Sequence, residues 1–354
     1  MNRIRVNTSR EYDILIDSGL LKTPAAYLSE ILCPGCKLAI ISDSNVWPIY
    51  GPAIKENLSS AGCRVCEYVF PAGESSKNSD TYLKILNFLA KNHITRSDAV
   101  IALGGGVTGD MAGFAAATFL RGIRYIQMPT SLLAMVDSSV GGKTAIDLPA
   151  GKNLLGAVHQ PAMVLCDIDA LSTLPKSVFC DGCAEVIKYG VLFDKPLFVH
   201  LEENGLHFDR KAVISRCVEL KRDIVCADEF DAGLRQKLNL GHTIGHSIEA
   251  KSNFTITHGQ AVAIGMAIVS MAGCKEIYPR VTALLKKFGL PFTTDFTAKE
   301  LAECALSDKK RTGGTINLII PNAIGDCAIV PTPVEQVESF IKEGLSDGSY
   351  PISK

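Results

Sequence analysis

The chain contains seven histidines, and three of them crowd into one short stretch. In Asn239-Leu-Gly-His242-Thr-Ile-Gly-His246-Ser-Ile-Glu249, two histidines stand four apart, one turn along the same face of a helix. His258 follows at the head of an apolar helical run, and Glu185, in Cys183-Ala-Glu-Val-Ile-Lys188, puts a carboxylate on another helix. Imidazoles and a carboxylate around an open position are the ligands that catalytic zinc uses. The two histidines of the pair need not both ligate, since one can shuttle a proton instead. The spacing leaves open which does which. For any one of them the plain alternative is a hydrogen-bonded helix residue. His93, His159, His200 and His207 lack partners at ligand spacing and read as surface or structural.

Two other stretches carry anion chemistry. Ala99-Val-Ile-Ala-Leu-Gly-Gly-Gly-Val-Thr-Gly-Asp110 runs from a strand through a glycine-rich turn into a helix. Gly104, Gly106 and Gly109 match G-x-G-x-x-G, which lets a backbone approach a pyrophosphate at a helix N-terminus. A tight strand-to-helix turn with no ligand is the alternative. Asp43, at the end of Lys37–Ser42, suits an adenosine ribose hydroxyl or, equally, a helix N-cap. Farther on, Asp137-Ser-Ser-Val-Gly-Gly-Lys143 and Gly151-Lys152-Asn153 combine lysines, an asparagine and glycines into an anion cradle, where a solvated loop is the plain reading. Arg121 can add a bidentate donor. A dinucleotide, a phosphate-bearing substrate and a Lewis-acid metal together suggest oxidation of a metal-bound hydroxyl by NAD.

Positioning these groups calls for two kinds of scaffold. Short β-rich runs at Tyr12–Asp17, Lys37–Ser42, Arg64–Phe70, Ala99–Leu103, Tyr125–Pro129 and Met163–Ile168 alternate with helical stretches such as Val46–Ser60 and Asp80–Asn92. That alternation predicts an α/β, Rossmann-like nucleotide-binding domain over residues 1–175. From Ser172 to Ile277 the periodicity is helical, continuing through Val281–Phe288 and Ala298–Leu306. Only Ile316–Pro321 and Cys327–Val330 read as a late hairpin. This predicts a mainly α-helical metal- and substrate-binding domain over 176–354, with the cleft between the two domains as the expected site.

Composition narrows the partners. With 36 Lys+Arg against 37 Asp+Glu, the net charge of −1 argues against a nucleic-acid partner but not against a small anionic one. The longest nearly uncharged helical stretch, Ala261–Cys274, is too short to span a membrane, and the N-terminus carries no apolar signal region. Twelve cysteines, scattered without a secretory signal, read as reduced thiols of a soluble, cytoplasmic chain. The Cys33/Cys36, Cys63/Cys66 and Cys180/Cys183 pairs have zinc-like spacing, but small core hydrophobes are the default.

Taken in order, several motifs resemble the 3-dehydroquinate synthase family along nearly the whole chain. They are Pro71-Ala-Gly-Glu74-Ser-Ser-Lys77, Gly104–Asp110, Gly113-Phe-Ala-Ala-Ala-Thr118, Asp137–Thr144, Gly151-Lys-Asn153, Ala184-Glu-Val-Ile-Lys-Tyr-Gly190 and Leu238–His246. The resemblance implies conversion of 3-deoxy-D-arabino-heptulosonate 7-phosphate to 3-dehydroquinate and phosphate, a lyase reaction of the shikimate pathway. It proceeds by transient oxidation, phosphate elimination, re-reduction, ring opening and aldol closure. NAD and a divalent metal, zinc or cobalt, are implied as cofactors. The implied metal ligands are Glu185, His242 and His258, which leaves His246 to move protons. Substrate and catalysis would fall to Asp137, Lys143, Asn153, Lys188, Lys221, Arg235, Asn239 and Lys309 or Lys310, with Arg121 reaching in from the second subunit of a homodimer. NAD would lie against Asp43, Gly73, Glu74, Lys77, Gly106, Val107, Thr108, Gly109, Asp110, Thr130, Ser131, Lys143 and Lys152, and along Ala170, Leu171, Ser172 and Thr173. Ser131 stands where the family often has Thr, and the hydroxyl survives.

Related readings are a cyclase acting on an amino analogue of the same sugar phosphate, or one making a deoxy-inosose or valiolone ring. A metal-dependent polyol dehydrogenase shares the plan but would accumulate NADH. A catalytically dead binding protein is disfavoured by the intact Glu185, His242, His246 and His258.

Overall fold

The apolar runs of the first half pair into a seven-stranded sheet in the computed structural model, which describes residues 1–33, 35–307 and 314–346. The strands are β1 (Asn2–Val6), β2 (Tyr12–Asp17), β3 (Lys37–Asp43), β4 (Arg64–Phe70), β5 (Ala99–Gly104), β6 (Arg124–Pro129) and, after a hairpin, β9 (Met163–Asp167). Their order is β1-β2-β9-β6-β5-β3-β4. Only β1 runs antiparallel; the other neighbours are parallel. β5 is buried along its whole length, as a strand covered by helices on both faces must be. Its sequence Ala-Val-Ile-Ala-Leu-Gly accordingly shows no polar alternation.

The helix Gly106–Thr118 continues from β5, and its residues from Thr108 to Ala116 are buried except Asp110. It closes the core of this face with Ala102, Met111, Ala112, Ala115, Ala116 and Tyr125. A Cβ on Gly113 would run into Thr144, so the missing side chain is what lets a neighbouring hairpin lie flush on the helix. That hairpin, β7 (Lys143–Leu148) with β8 (Gly151–Val158), was not expected. Its glycines and lysines read as an anion-binding loop, but the two arms pair in antiparallel register from Lys143↔Val158 to Leu148↔Gly151. β1 and the helix Val334–Gly344 were also not anticipated.

The chain divides into two compact units. The first comprises Met1–Pro175 together with Arg210–Phe230; the second comprises Lys176–Asp209 and the chain from Asp231 on. The helix Arg210–Ala227 therefore belongs to the first unit, although it lies within the stretch expected to form the second. It packs on β1, β2 and the π-helical turn Ala134–Ser138. The second unit is built around the helix His258–Gly273, which is buried from Ala261 to Ser270. Lys176–Leu192, His242–Lys251, Tyr278–Lys287 and Val334–Gly344 pack against it. β10 (Thr315–Ala323) and β11 (Asp326–Pro333) form the expected late hairpin. Among the described residues no helix is long and apolar enough to cross a membrane.

Candidate active site

In the second unit, three helices bring one carboxylate and two imidazoles together. Glu185 comes from Lys176–Leu192, His242 opens His242–Lys251, and His258 opens His258–Gly273. The last two helices can meet closely because Gly241, at φ 75, and Gly265 leave no side chain between them. Glu185 is fully buried, and its Oε1 lies 3.3 Å from His242 Nε2 and 3.2 Å from His258 Nε2. Ligands placed tetrahedrally at about 2.05 Å from a zinc-like ion stand roughly 3.3 Å apart, so this spacing fits one ion. The three ligand atoms all lie within 4.8 Å of one another. Each ring also has its second nitrogen engaged: His242 Nδ1 is 3.0 Å from the Leu240 carbonyl, and His258 Nδ1 is 3.4 Å from Glu249 Oε2. Such outer partners fix the tautomer that aims Nε2 at a metal.

Lys188 is buried and its ammonium pairs with Glu185 Oε2. Burial works against the Glu185 charge, but Lys188 and His242 outweigh it and hold the carboxyl well below its ordinary range. For His258, burial disfavours the imidazolium, while hydrogen bonds to Glu185 and Glu249 push its pKa up to about 10. A raised value means that the proton is bound below about 10 and must leave before a metal can take Nε2. Metal affinity is therefore expected to rise about tenfold per pH unit through the neutral range. Isothermal titration in buffers of differing ionisation enthalpy should find about one proton released per metal near pH 7. For the metal-free chain the sign is opposite. Stability from His258 is complete below its unfolded value near 6.5 and is lost as pH rises toward about 10.

His246 lies on the same helix as His242, exposed, with ring centroids 5.5 Å apart. Arg235 is buried in the 3-10 turn Leu234–Asn239, which carries Asn239 and leads directly to His242. Lys309 and Lys310 lie outside the described residues.

The first unit gathers the other expected residues. Lys77 is 5% exposed, and its ammonium donates to Asp110 Oδ2 at 2.6 Å and to Asn153 Oδ1 at 2.5 Å. Glu74 and Lys152 form a looser pair at 3.6 Å. Lys221, on Arg210–Ala227, holds Asp137 Oδ1 at 2.6 Å. Gly73 has φ 112 and open space where a Cβ would stand, so glycine is needed there for conformation rather than packing. At Gly104 and Gly109 the reason is packing, because a Cβ would strike Thr108 and Gln127 respectively. The helix Gly106–Thr118 begins after Gly105 with no side-chain cap, which leaves its first N–H groups for an anion. Thr130 and Ser131 follow β6, and Gly105 faces the Ser131 hydroxyl.

Asp43 is more committed than its sequence position suggested. One oxygen accepts from the N–H groups of Asn45 and Val46, and the other from the Thr108 hydroxyl at 3.3 Å. Ala170–Thr173 form a 3-10 turn and its end, to which the Tyr50 hydroxyl is tied through Ala170 and Thr173. Lys143 is exposed at the head of β7, and Arg121 is exposed at a corner where Leu120 and Arg121 both take positive φ. No Cys-x-x-Cys pair joins a ligand set among the described residues, and none of the twelve cysteines forms a disulfide.

Comparison with known proteins settles the kinship. The family profile for the 3-dehydroquinate synthase N-terminal region matches residues 67–181, and that for its C-terminal region matches 182–311. A 3-dehydroquinate synthase of Pelobacter propionicus is 45% identical over 352 residues, covering 95% of this chain and 98% of that protein. The chain belongs to the 3-dehydroquinate synthase family. Among solved structures, 2-epi-5-epi-valiolone synthase from Streptomyces hygroscopicus, with NAD+ and Zn2+ bound, is 26% identical with a TM-score of 0.87, covering 97% of this chain and 99% of that one. A 2-deoxy-scyllo-inosose synthase, complexed with carbaglucose-6-phosphate, NAD+ and Co2+, shares the fold at 24% identity and a TM-score of 0.86, covering 97% and 100%. The sequence alone assigns Glu249 no role. Positions 242, 246 and 249 fall on one helix face, but the imidazole that Glu249 meets is that of His258, on the next helix.

Proposed function

We propose that the chain is a 3-dehydroquinate synthase, converting 3-deoxy-D-arabino-heptulosonate 7-phosphate to 3-dehydroquinate and phosphate with NAD and a divalent metal, zinc or cobalt. The observation that carries the reading is the Glu185–His242–His258 set at metal-ligand spacing, in a chain 45% identical to a 3-dehydroquinate synthase. When bound, NAD supplies a reversible hydride acceptor, and the metal polarises the hydroxyl to be oxidised.

The chain's own residues then divide the work. Glu185, His242 and His258 hold the metal, and Leu240 and Glu249 fix the two rings. His246, exposed beside that set, takes and returns a proton at a substrate hydroxyl. Lys188 keeps its ammonium fixed against Glu185 and donates to substrate oxygen, as Arg235 and Asn239 do from the turn before His242. In the first unit, Lys221 holds the Asp137 carboxylate in place to accept from substrate hydroxyls, while Lys143 and Asn153 contribute donors. The uncapped start of Gly106–Thr118, with Gly73, Glu74, Lys77, Thr130, Ser131 and Lys152, receives the dinucleotide. In this reading Asp110 acts by holding Lys77.

The protein works as a homodimer, with Arg121 of one subunit reaching the substrate phosphate of the other. Exposed Leu120, Leu154, Leu155 and Val158, on the same unit as Arg121, support this reading, because apolar side chains of this size favour a covered face. Twelve cysteines outside any disulfide support a reducing compartment, the cytoplasm.

The test is to supply the heptulosonate phosphate with sub-stoichiometric NAD and metal. Phosphate and dehydroquinate should appear together with no net NADH. Steady accumulation of NADH, or phosphate release that survives exhaustive metal removal, would sink the reading.

A further inference from the structure

We propose that His246, Glu249 and His258 form a second, weaker position for a divalent cation, next to the first and sharing His258 with it. The two nitrogens of the His258 ring look in different directions. Nε2 lies 3.2 Å from Glu185 Oε1, inside the first ligand set, and Nδ1 lies 3.4 Å from Glu249 Oε2. Glu249 stands three residues beyond His246 on the helix His242–Lys251, so both side chains project from one face. The His246 and His258 ring centroids are 6.2 Å apart, and one ligand atom from each of His246, Glu249 and His258 falls within 4.8 Å of the others. Two imidazoles and one carboxylate repeat the donor chemistry of the first set, so the class of ion is the same. Zinc, cobalt or another borderline first-row cation fits, whereas magnesium and calcium prefer all-oxygen sites.

The two positions differ in access. Glu185 is fully buried, whereas His246 is exposed, so the second position is the one nearer solvent. They also compete. Both draw on the one His258 ring, and two dications held so close repel each other. That raises the cost of the second ion and makes it the weaker of the two. On the proton-transfer role proposed above for His246, an ion in the second position would occupy the nitrogen that the reaction uses, so excess metal would inhibit. The site itself does not depend on that role, and its test reads binding.

Metal-free full-length chain should be titrated with Co2+, following visible absorbance and, by equilibrium dialysis, stoichiometry. Two equivalents are expected, the second more than about tenfold weaker than the first. His246→Ala should remove the second and keep the first, and His246→Gln should do the same. Glu185→Gln should weaken the first and leave the second. Saturation of the unaltered chain at one equivalent would overturn the proposal, as would a second equivalent that survives both His246 variants. A first phase untouched by Glu185→Gln would count against the Glu185 ligand set instead, which separates the two failures.

Discussion

Replacing Glu185 by glutamine is expected to cost the chain the metal held by Glu185, His242 and His258, its turnover and much of its stability at once. The carboxylate is fully buried, with one oxygen facing two imidazoles and the other facing the Lys188 ammonium. Glutamine keeps the shape but removes the charge, and its amide hydrogens must point at groups that are themselves donors or cations. Lys188, 1% exposed, loses the Glu185 charge beside its ammonium. Breaking a buried pair from one side costs about 3–5 kcal/mol. Loss of the metal's charge stabilisation, several kcal/mol, corresponds to a fall in turnover of about 10³-fold or more. Three measurements separate the effects: bound metal by atomic emission, kcat at saturating metal, and the urea midpoint. Adding Lys188→Met to the variant should restore stability without restoring turnover. A Glu185→Gln protein that binds the first equivalent of metal as tightly as the parent and turns over within about tenfold of it would refute the assignment.

The second large effect is expected at Lys77. Burial opposes its charge, but Asp110 outweighs burial and holds the ammonium above the ordinary lysine value. Lys77→Met would leave the Asp110 carboxylate largely buried and unpaired, at a cost of about 3–5 kcal/mol. The pH dependence has a definite sign. Burial pushes the Asp110 carboxyl upward, and without Lys77 nothing comparable pulls it back. The folded variant then holds a proton that the unfolded chain gives up near 3.9, so its stability should fall as pH rises from about 5 to 8. Denaturant midpoints at the two ends of that range, with Asp110→Asn added as the rescuing change, would check it. Equal losses at both pH values would mean that the pair is not buried in solution as it is here. The Asn153 side chain loses its donor in the same variant, so NAD affinity, read by fluorescence, should drop by more than about tenfold if this cluster supports the dinucleotide.

Much of this was legible beforehand because buried elements write themselves strongly. A parallel strand covered on both faces, such as β5, is an unbroken apolar run, and the helix Gly106–Thr118 follows directly from its glycines. The candidate metal residues stood out as rare residue types at helical spacing, which left open which histidine ligates; the set Glu185, His242 and His258 was implied by the family resemblance. The hairpin β7–β8 was not, because its exposed arms carry Lys143, Asp147, Lys152 and Asn153, and nothing in their order separates a paired edge from a ligand loop. Glu249 escaped for a different reason. Its role depends on where His258 stands, a long-range fact that no local pattern holds. Asp43 carries local contacts as well: one oxygen accepts from its own turn and the other from Thr108.

The return of Arg210–Ala227 to the first unit has a bearing on synthesis at the ribosome. Lys221, which anchors Asp137, is made well after the sheet is complete, and the chain must start the second unit before it can finish the first. The nascent sheet therefore waits with the faces of β1 and β2 that meet this helix still uncovered. A fragment ending near residue 175 should behave like that waiting state, sticky and prone to aggregate, and it would lack the partner that fixes Asp137. The order of translation thus ties completion of the first unit to the synthesis of the opening helices of the second.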